Sequence, residues 1–148
     1  MIIDTLKRIN IDVEWLHFGS GPQFDEISKQ AHTLPGNIRF KLLGYKPMKD
    51  IVEYYKNNAV NLFINLSDSE GLPFAILDAM SFGIPILARN VGCIADALNE
   101  HTGILLPDRV LPEQIANEII NFKNSYKNTP DFRKKVRKYW ESYFLNHT

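Results

Sequence analysis

Two acids, Glu70 and Asp78, have surroundings in which they could do chemistry. They fall in Ser69-Glu70-Gly71-Leu72-Pro73-Phe74-Ala75-Ile76-Leu77-Asp78-Ala79-Met80-Ser81-Phe82-Gly83-Ile84-Pro85, where an acid-glycine loop opens a run that is apolar nearly all round. Pro73 suits a first helical turn, Gly83 a stop, and Pro85 cannot continue the helix, so the pattern predicts a helix of about ten residues. A helix this apolar is expected to be buried. Burial leaves the amides of Gly71, Leu72 and Phe74 at its start without intrahelical partners, beside the positive end of the helix dipole, and favours anions or hydroxyl-rich ligands there. Glu70 can accept hydrogen bonds at the same place, or it can serve only as a first-turn acid suited to the dipole. Asp78, eight positions later, is the one charge on the helix. Aspartate is a poor helix former and is rarely buried without a partner, so it is expected to face a polar crevice or a cation.

Other candidate groups are weaker. Gly19-x-Gly21 follows an apolar run as a dinucleotide loop does, but the third glycine of G-x-G-x-x-G is replaced by Phe24. A tight turn needing glycine's backbone freedom is an equal reading. His17, His32, His101 and His147 are scattered, without metal-ligand spacing to each other or to the single cysteine. Metal catalysis is therefore not expected. Ser67, Ser69 and Ser81 lack the G-x-S-x-G context of a hydrolase elbow. Cys93 cannot form an internal disulfide and reads as a buried spectator thiol, compatible with a reducing cytoplasm.

The elements that must position these groups alternate along the chain. Strands are predicted at 13–18, 38–43, 60–66, 84–88 and 103–106, and helices at 23–33, 47–57, 74–82 and 112–123, with a short helix at 94–98. Such alternation implies parallel pairing through right-handed crossovers, hence one open α/β sheet of five or six strands, doubly wound in the Rossmann manner. Ligands of these sheets bind at the carboxyl ends of the strands, where both glycine loops, 19–22 and 70–73, are expected to lie.

Residues 1–123 form the α/β domain in this reading, 124–130 a polar linker ending in proline, and 131–148 a terminal helix. That helix sets Phe132, Val136, Tyr139, Trp140, Tyr143 and Phe144 beside Arg133, Lys134, Lys135, Arg137 and Lys138. A docking face and a merely solvated basic face are both open, and contact with an anionic membrane surface is a further expectation. The 148 residues suit one domain; 17 basic residues balance 17 acidic ones, so no overall field favours nucleic acid. No apolar run approaches the roughly 18 to 20 residues of a membrane span.

The succession of His17-Phe18-Gly19-Ser20-Gly21-Pro22, Leu43-Gly44-Tyr45, the acid-x7-acid motif from Glu70 to Asp78 with Ala79-Met80-x-x-Gly83-x-Pro85, Asn90-Val91-Gly92 and Thr102 to Pro107 resembles the donor-binding domain of family 4 GT-B glycosyltransferases. These are retaining enzymes of capsule, lipopolysaccharide and related glycan assembly. The resemblance covers about residues 13–122. It implies that Glu70, the catalytic acid, and the amides of Gly71, Leu72 and Phe74 hold the donor sugar, and that Asp78 binds the ribose. It further implies that Gly19 and Gly21 line the diphosphate side, that Tyr45 lies near the base, and that transfer from the nucleotide sugar needs no metal or cofactor. Asp78 stands where the family usually has glutamate, and Cys93 where it usually has a second glycine. The family's upstream Arg and Lys pair has no counterpart, and its N-terminal acceptor-binding domain is expected as a separate partner. A sugar-nucleotide epimerase of the same architecture and a non-catalytic binding module are the competing readings.

Overall fold

The computed structural model describes residues 1–68 and 74–147, without the side chains of residues 144, 146 and 147. The predicted alternation is present: α1 (Ile2–Leu6), β1 (Val13–Phe18), α2 (Phe24–Ala31), β2 (Ile38–Gly44), α3 (Met48–Asn57), β3 (Phe63–Asn65), α4 (Phe74–Ser81), β4 (Ile86–Arg89), β5 (Gly103–Leu106), α5 (Pro112–Phe122) and α6 (Pro130–His147). All strand pairings are parallel, as the crossovers require. The strands expected of one sheet are paired in two, β1–β2 and β3–β4–β5. The chain divides into two compact units, one of residues 1–53 and 111–120, the other of residues 54–110 and 121–148.

In the first unit, Ile3, Leu6 and Ile9 are buried, as are Ala31, Ile38, Ile115, Ala116 and Ile119. Asn37 fixes the start of β2, its Nδ2 donating to the carbonyls of Ile9 at 2.9 Å and Ile11 at 2.8 Å. β1 and β2 run in register from Val13 opposite Ile38 to His17 opposite Leu42, then slip by one, so that Phe18 faces Gly44. Such a bulge bends the strand end and changes where the following residues point.

In the second unit β4 is the central strand, and Ile86, Leu87 and Ala88 are fully buried between β3 and β5. Helix α4 buries Ile76, Leu77, Ala79 and Met80. Its end follows the sequence: Gly83 takes φ of +72°, its amide donates to Met80, and the Ile84 amide reaches back to Ala79. This left-handed glycine cap consumes two carbonyls of the last turn. It also moves the strand boundaries from those expected. Ile84 and Pro85 belong to the cap, so β4 starts at Ile86, and β3 begins only at Phe63, whose amide pairs with the Pro85 carbonyl at 2.9 Å.

Helix α6 packs its Phe132 and Val136 against α4, with Tyr139, Trp140 and Tyr143 partly buried on the same core. Two of its arginines hold carbonyls near the end of α4: Arg133 Nη2 approaches Phe82 at 3.5 Å while its Nη1 donates to Val60 at 2.6 Å, and Arg137 Nη1 donates to Ser81. Residues 124–130 contain a 3₁₀ turn at Tyr126–Asn128, and Lys127 Nζ donates to the Gly103 carbonyl at 2.7 Å.

Cys93 corrects the sequence reading. It is exposed, because it sits in the turn after β4 that precedes the 3₁₀ turn Ile94–Asp96, where the expected short helix is reduced to three residues.

Candidate functional site

The first unit places Gly19, Gly21 and Tyr45 at the carboxyl ends of its two strands. The slip between β1 and β2 brings the loops together, the Gly19 amide donating to the Gly44 carbonyl at 2.8 Å. Gly19 has φ of +144° and Gly44 +69°, conformations in which a side chain would be strained. Tyr45 follows with 73% of its surface exposed, leaving its ring open to a planar ligand. In the same unit, a cavity of about 350 Å³ is lined by His17, Gly21, Pro22, Gln23, Phe24 and Ile27. Burial lowers the pKa of His17 from its ordinary 6.5, so the imidazole there is a neutral hydrogen-bonding group. Helix α2 opens with Asp25 and Glu26, which themselves complement its dipole.

The second unit holds Phe74 and Asp78. Phe74 starts α4 and is 66% exposed, unlike the buried residues of the turns that follow. Asp78 is half-buried among them, and desolvation raises its pKa. Tyr55, whose ring tilts against Phe82 at 5.6 Å, has its pKa pushed up to about 12, first by burial and then by the charge of Asp78. Tyr55 thus remains a neutral hydroxyl near the one acid of α4. The Asp78 carboxyl group can accept hydrogen bonds, the chemistry that suits vicinal hydroxyls. Glu70, Gly71 and Leu72 lie outside the described residues.

Arg89 is the polar residue that sequence reasoning missed. It ends the buried strand β4, with 9% of its side chain exposed, and binds Asp68 after β3 and Asp108 after β5. A lone charge closing an apolar run was its signal, the same signal that singled out Asp78. A cavity of about 580 Å³ in the second unit lies instead beside Gly83, Arg133 and Arg137, where the guanidinium groups bind backbone carbonyls near the end of α4. Among the described residues, no three His, Cys, Asp or Glu side chains are grouped so as to hold a metal ion. No helix among them is long and apolar enough to cross a membrane.

Parallel β–α units, with glycine turns closing the strand ends and helices between the strands, define an α/β chain of the Rossmann-like class. The sequence pattern of the family "Glycosyl transferases group 1" matches residues 2–139, and the chain belongs to that family. This agrees with the resemblance to GT-B glycosyltransferases of family 4. Protein CapJ of Staphylococcus aureus is 28% identical over 131 residues, which are 88% of this chain and 32% of CapJ. The amylovoran biosynthesis glycosyltransferase AmsK of Erwinia amylovora is 32% identical over 73 residues, 46% of this chain and 18% of AmsK. The chain thus spans a third or less of the length of these relatives. The fold is shared with Anabaena Alr3699/HepE, solved in complex with UDP-glucose, at a TM-score of 0.77 and 22% identity, over 96% of this chain and 40% of that one.

Proposed function

We propose that this chain is the nucleotide-sugar-binding half of a retaining glycosyltransferase that builds a surface polysaccharide, its acceptor site belonging to a partner domain. The observation that carries this reading is the acid-x7-acid motif of a family member, placed so that its second acid, Asp78, is half-buried on α4 with its pKa raised. In this reading Asp78 accepts hydrogen bonds from the ribose hydroxyls. Glu70 and the amides of Gly71, Leu72 and Phe74 hold the sugar. The relatives' names support the substrate class, since AmsK acts in amylovoran biosynthesis and HepE was solved with UDP-glucose.

Chemically, the glycosidic bond to the diphosphate breaks with oxocarbenium character, and the leaving oxygen gains negative charge. Preorganised amide donors stabilise that charge without rearranging. The proposal therefore needs no metal: donor binding is expected to be the same with and without EDTA. Calorimetric titration of the full chain with UDP-, GDP- and ADP-glucose tests it, comparing wild type with Glu70→Ala and Asp78→Ala. One nucleotide series should bind; Asp78→Ala should weaken both the nucleoside diphosphate and the sugar nucleotide, and Glu70→Ala only the latter. Absence of binding to all three would reject the donor reading, as would equal affinities in all three proteins.

A further inference from the structure

We propose that Arg89 is a positioning residue that straps residues 66–68, which precede the acid-glycine motif in the chain, to Asp108 after β5, and so sets the affinity for the sugar nucleotide. The proposal rests on the donor reading of residues 70–72. Its basis is the place of Arg89 in the sheet. β4 lies between β3 and β5, with Ala88 paired to Asn65 and Arg89 to Leu106. The side chain therefore leaves the central strand where both neighbours turn into loops, and its two faces of donors reach one loop each. Toward β3, Nη1 donates to Asp68 Oδ1 at 2.5 Å and lies 3.4 Å and 3.5 Å from the carbonyls of Leu66 and Ser67. Toward β5, Nε donates to the Asp108 carbonyl at 2.8 Å and Nη2 to its Oδ1 at 3.3 Å.

The burial is unequal, and that inequality assigns the roles. The Arg89 side chain is 9% exposed, whereas the side chains of Asp68 and Asp108 are 94% and 65% exposed. Either aspartate alone is an ordinary surface carboxylate that water would solvate well. The guanidinium is the fixed element, held by the most buried strand of the unit, and the two loops take their positions from it. A planar fork of five donors can serve both sides at once; a lysine ammonium, a compact point charge, cannot. Asp68 lies two positions before Glu70 in the chain, so fixing residues 66–68 fixes the described backbone that leads into the acid-glycine motif. Asp108 has no expected contact with the donor, yet in this arrangement it shares the same guanidinium.

Amide hydrogen exchange and calorimetry on the full chain test this with Arg89→Lys, Arg89→Met and Asp108→Asn, using whichever of UDP-, GDP- or ADP-glucose the wild type binds. Both Arg89 variants should speed exchange at residues 66–68 while leaving β5 protected, and should weaken the sugar nucleotide by roughly tenfold, the scale of one charge-assisted hydrogen bond. Asp108→Asn should do the same in part, and should have no further effect in the Arg89→Met background. The strap is overturned if Arg89→Lys behaves as wild type, if Asp108→Asn acts equally in both backgrounds, or if exchange at residues 66–68 is unchanged. Faster exchange at unchanged affinity would overturn the link to the donor. If the wild type bound none of the three probes, the donor reading and that link would fall together, while the exchange data would still decide the strap.

Discussion

Replacing Gly83 with alanine isolates the joint between α4 and α6. Two independent costs follow from the structure. At φ of +72° any Cβ is crowded by its own backbone, a penalty of about 1–2 kcal/mol. The added carbon would also stand 2.7 Å from the carbonyl oxygen of Arg133 and 3.3 Å from its carbonyl carbon. Those are backbone atoms of α6, so relief requires the helix to withdraw, which loosens the contacts of Phe132 and Val136 with α4. Overpacking of this kind typically costs about 1–3 kcal/mol. Together the loss is about 2–5 kcal/mol, a large share of a typical domain's stability of about 5–15 kcal/mol. For a chain of this size it corresponds to a fall in melting temperature of roughly 5–15 °C. Urea denaturation followed by tryptophan fluorescence measures it, with Gly36→Ala as the control, because a Cβ at Gly36 meets nothing within 4 Å. A Gly83→Ala protein within about 0.5 kcal/mol of the wild type, the range of ordinary surface changes, would refute the reasoning.

Asp78→Asn should move stability and affinity in opposite directions. Burial raises the Asp78 pKa above 3.8, so the folded state holds the proton more tightly than the unfolded state, and stability is lost as pH rises through the raised value. The asparagine variant should therefore be the more stable protein at pH 7 and equal to wild type near pH 3, while binding the nucleotide roughly tenfold or more weakly; a less stable variant at pH 7 would contradict the desolvation argument. On α6, Lys134, Lys135 and Lys138 are exposed, and each is worth about 1 kcal/mol at an anionic bilayer. Sedimentation with phosphatidylglycerol vesicles should fall sharply on changing all three to glutamine; equal sedimentation of both proteins, or equal binding to phosphatidylcholine, would dismiss membrane contact.

The parallel alternation was legible because hydrophobic period and glycine punctuation agree in each unit, and Gly83 and Pro85 marked the end of α4 correctly. Boundaries were less legible where one residue serves two elements. Ile84 looks like strand from its side chain, yet its amide closes the helix cap, and Val60 lies outside β3 while its carbonyl accepts from Arg133. Cys93 was misread because burial was inferred from residue type, whereas a turn decides its exposure. Of the candidate site, Asp78 was legible as an anomaly of composition. Arg89 carried the same kind of signal, but its partners depend on strand order; Tyr55 was not legible, since its role depends on a helix from elsewhere in the chain and is not written in local spacing.

The arginines on α6 also bear on the electrostatics of α4. A free helix is a pair of opposite half-charges, and from a distance the two ends largely cancel. Here the carboxyl end, at Ser81 and Phe82, faces two guanidinium groups. The opposite end, at Phe74, is about 12 Å away for eight residues at 1.5 Å each. With its negative pole neutralised, α4 acts on its surroundings less as a dipole than as a single positive pole at Phe74, whose influence decays more slowly with distance. Helix α6 thereby biases the field at the far end of a different helix.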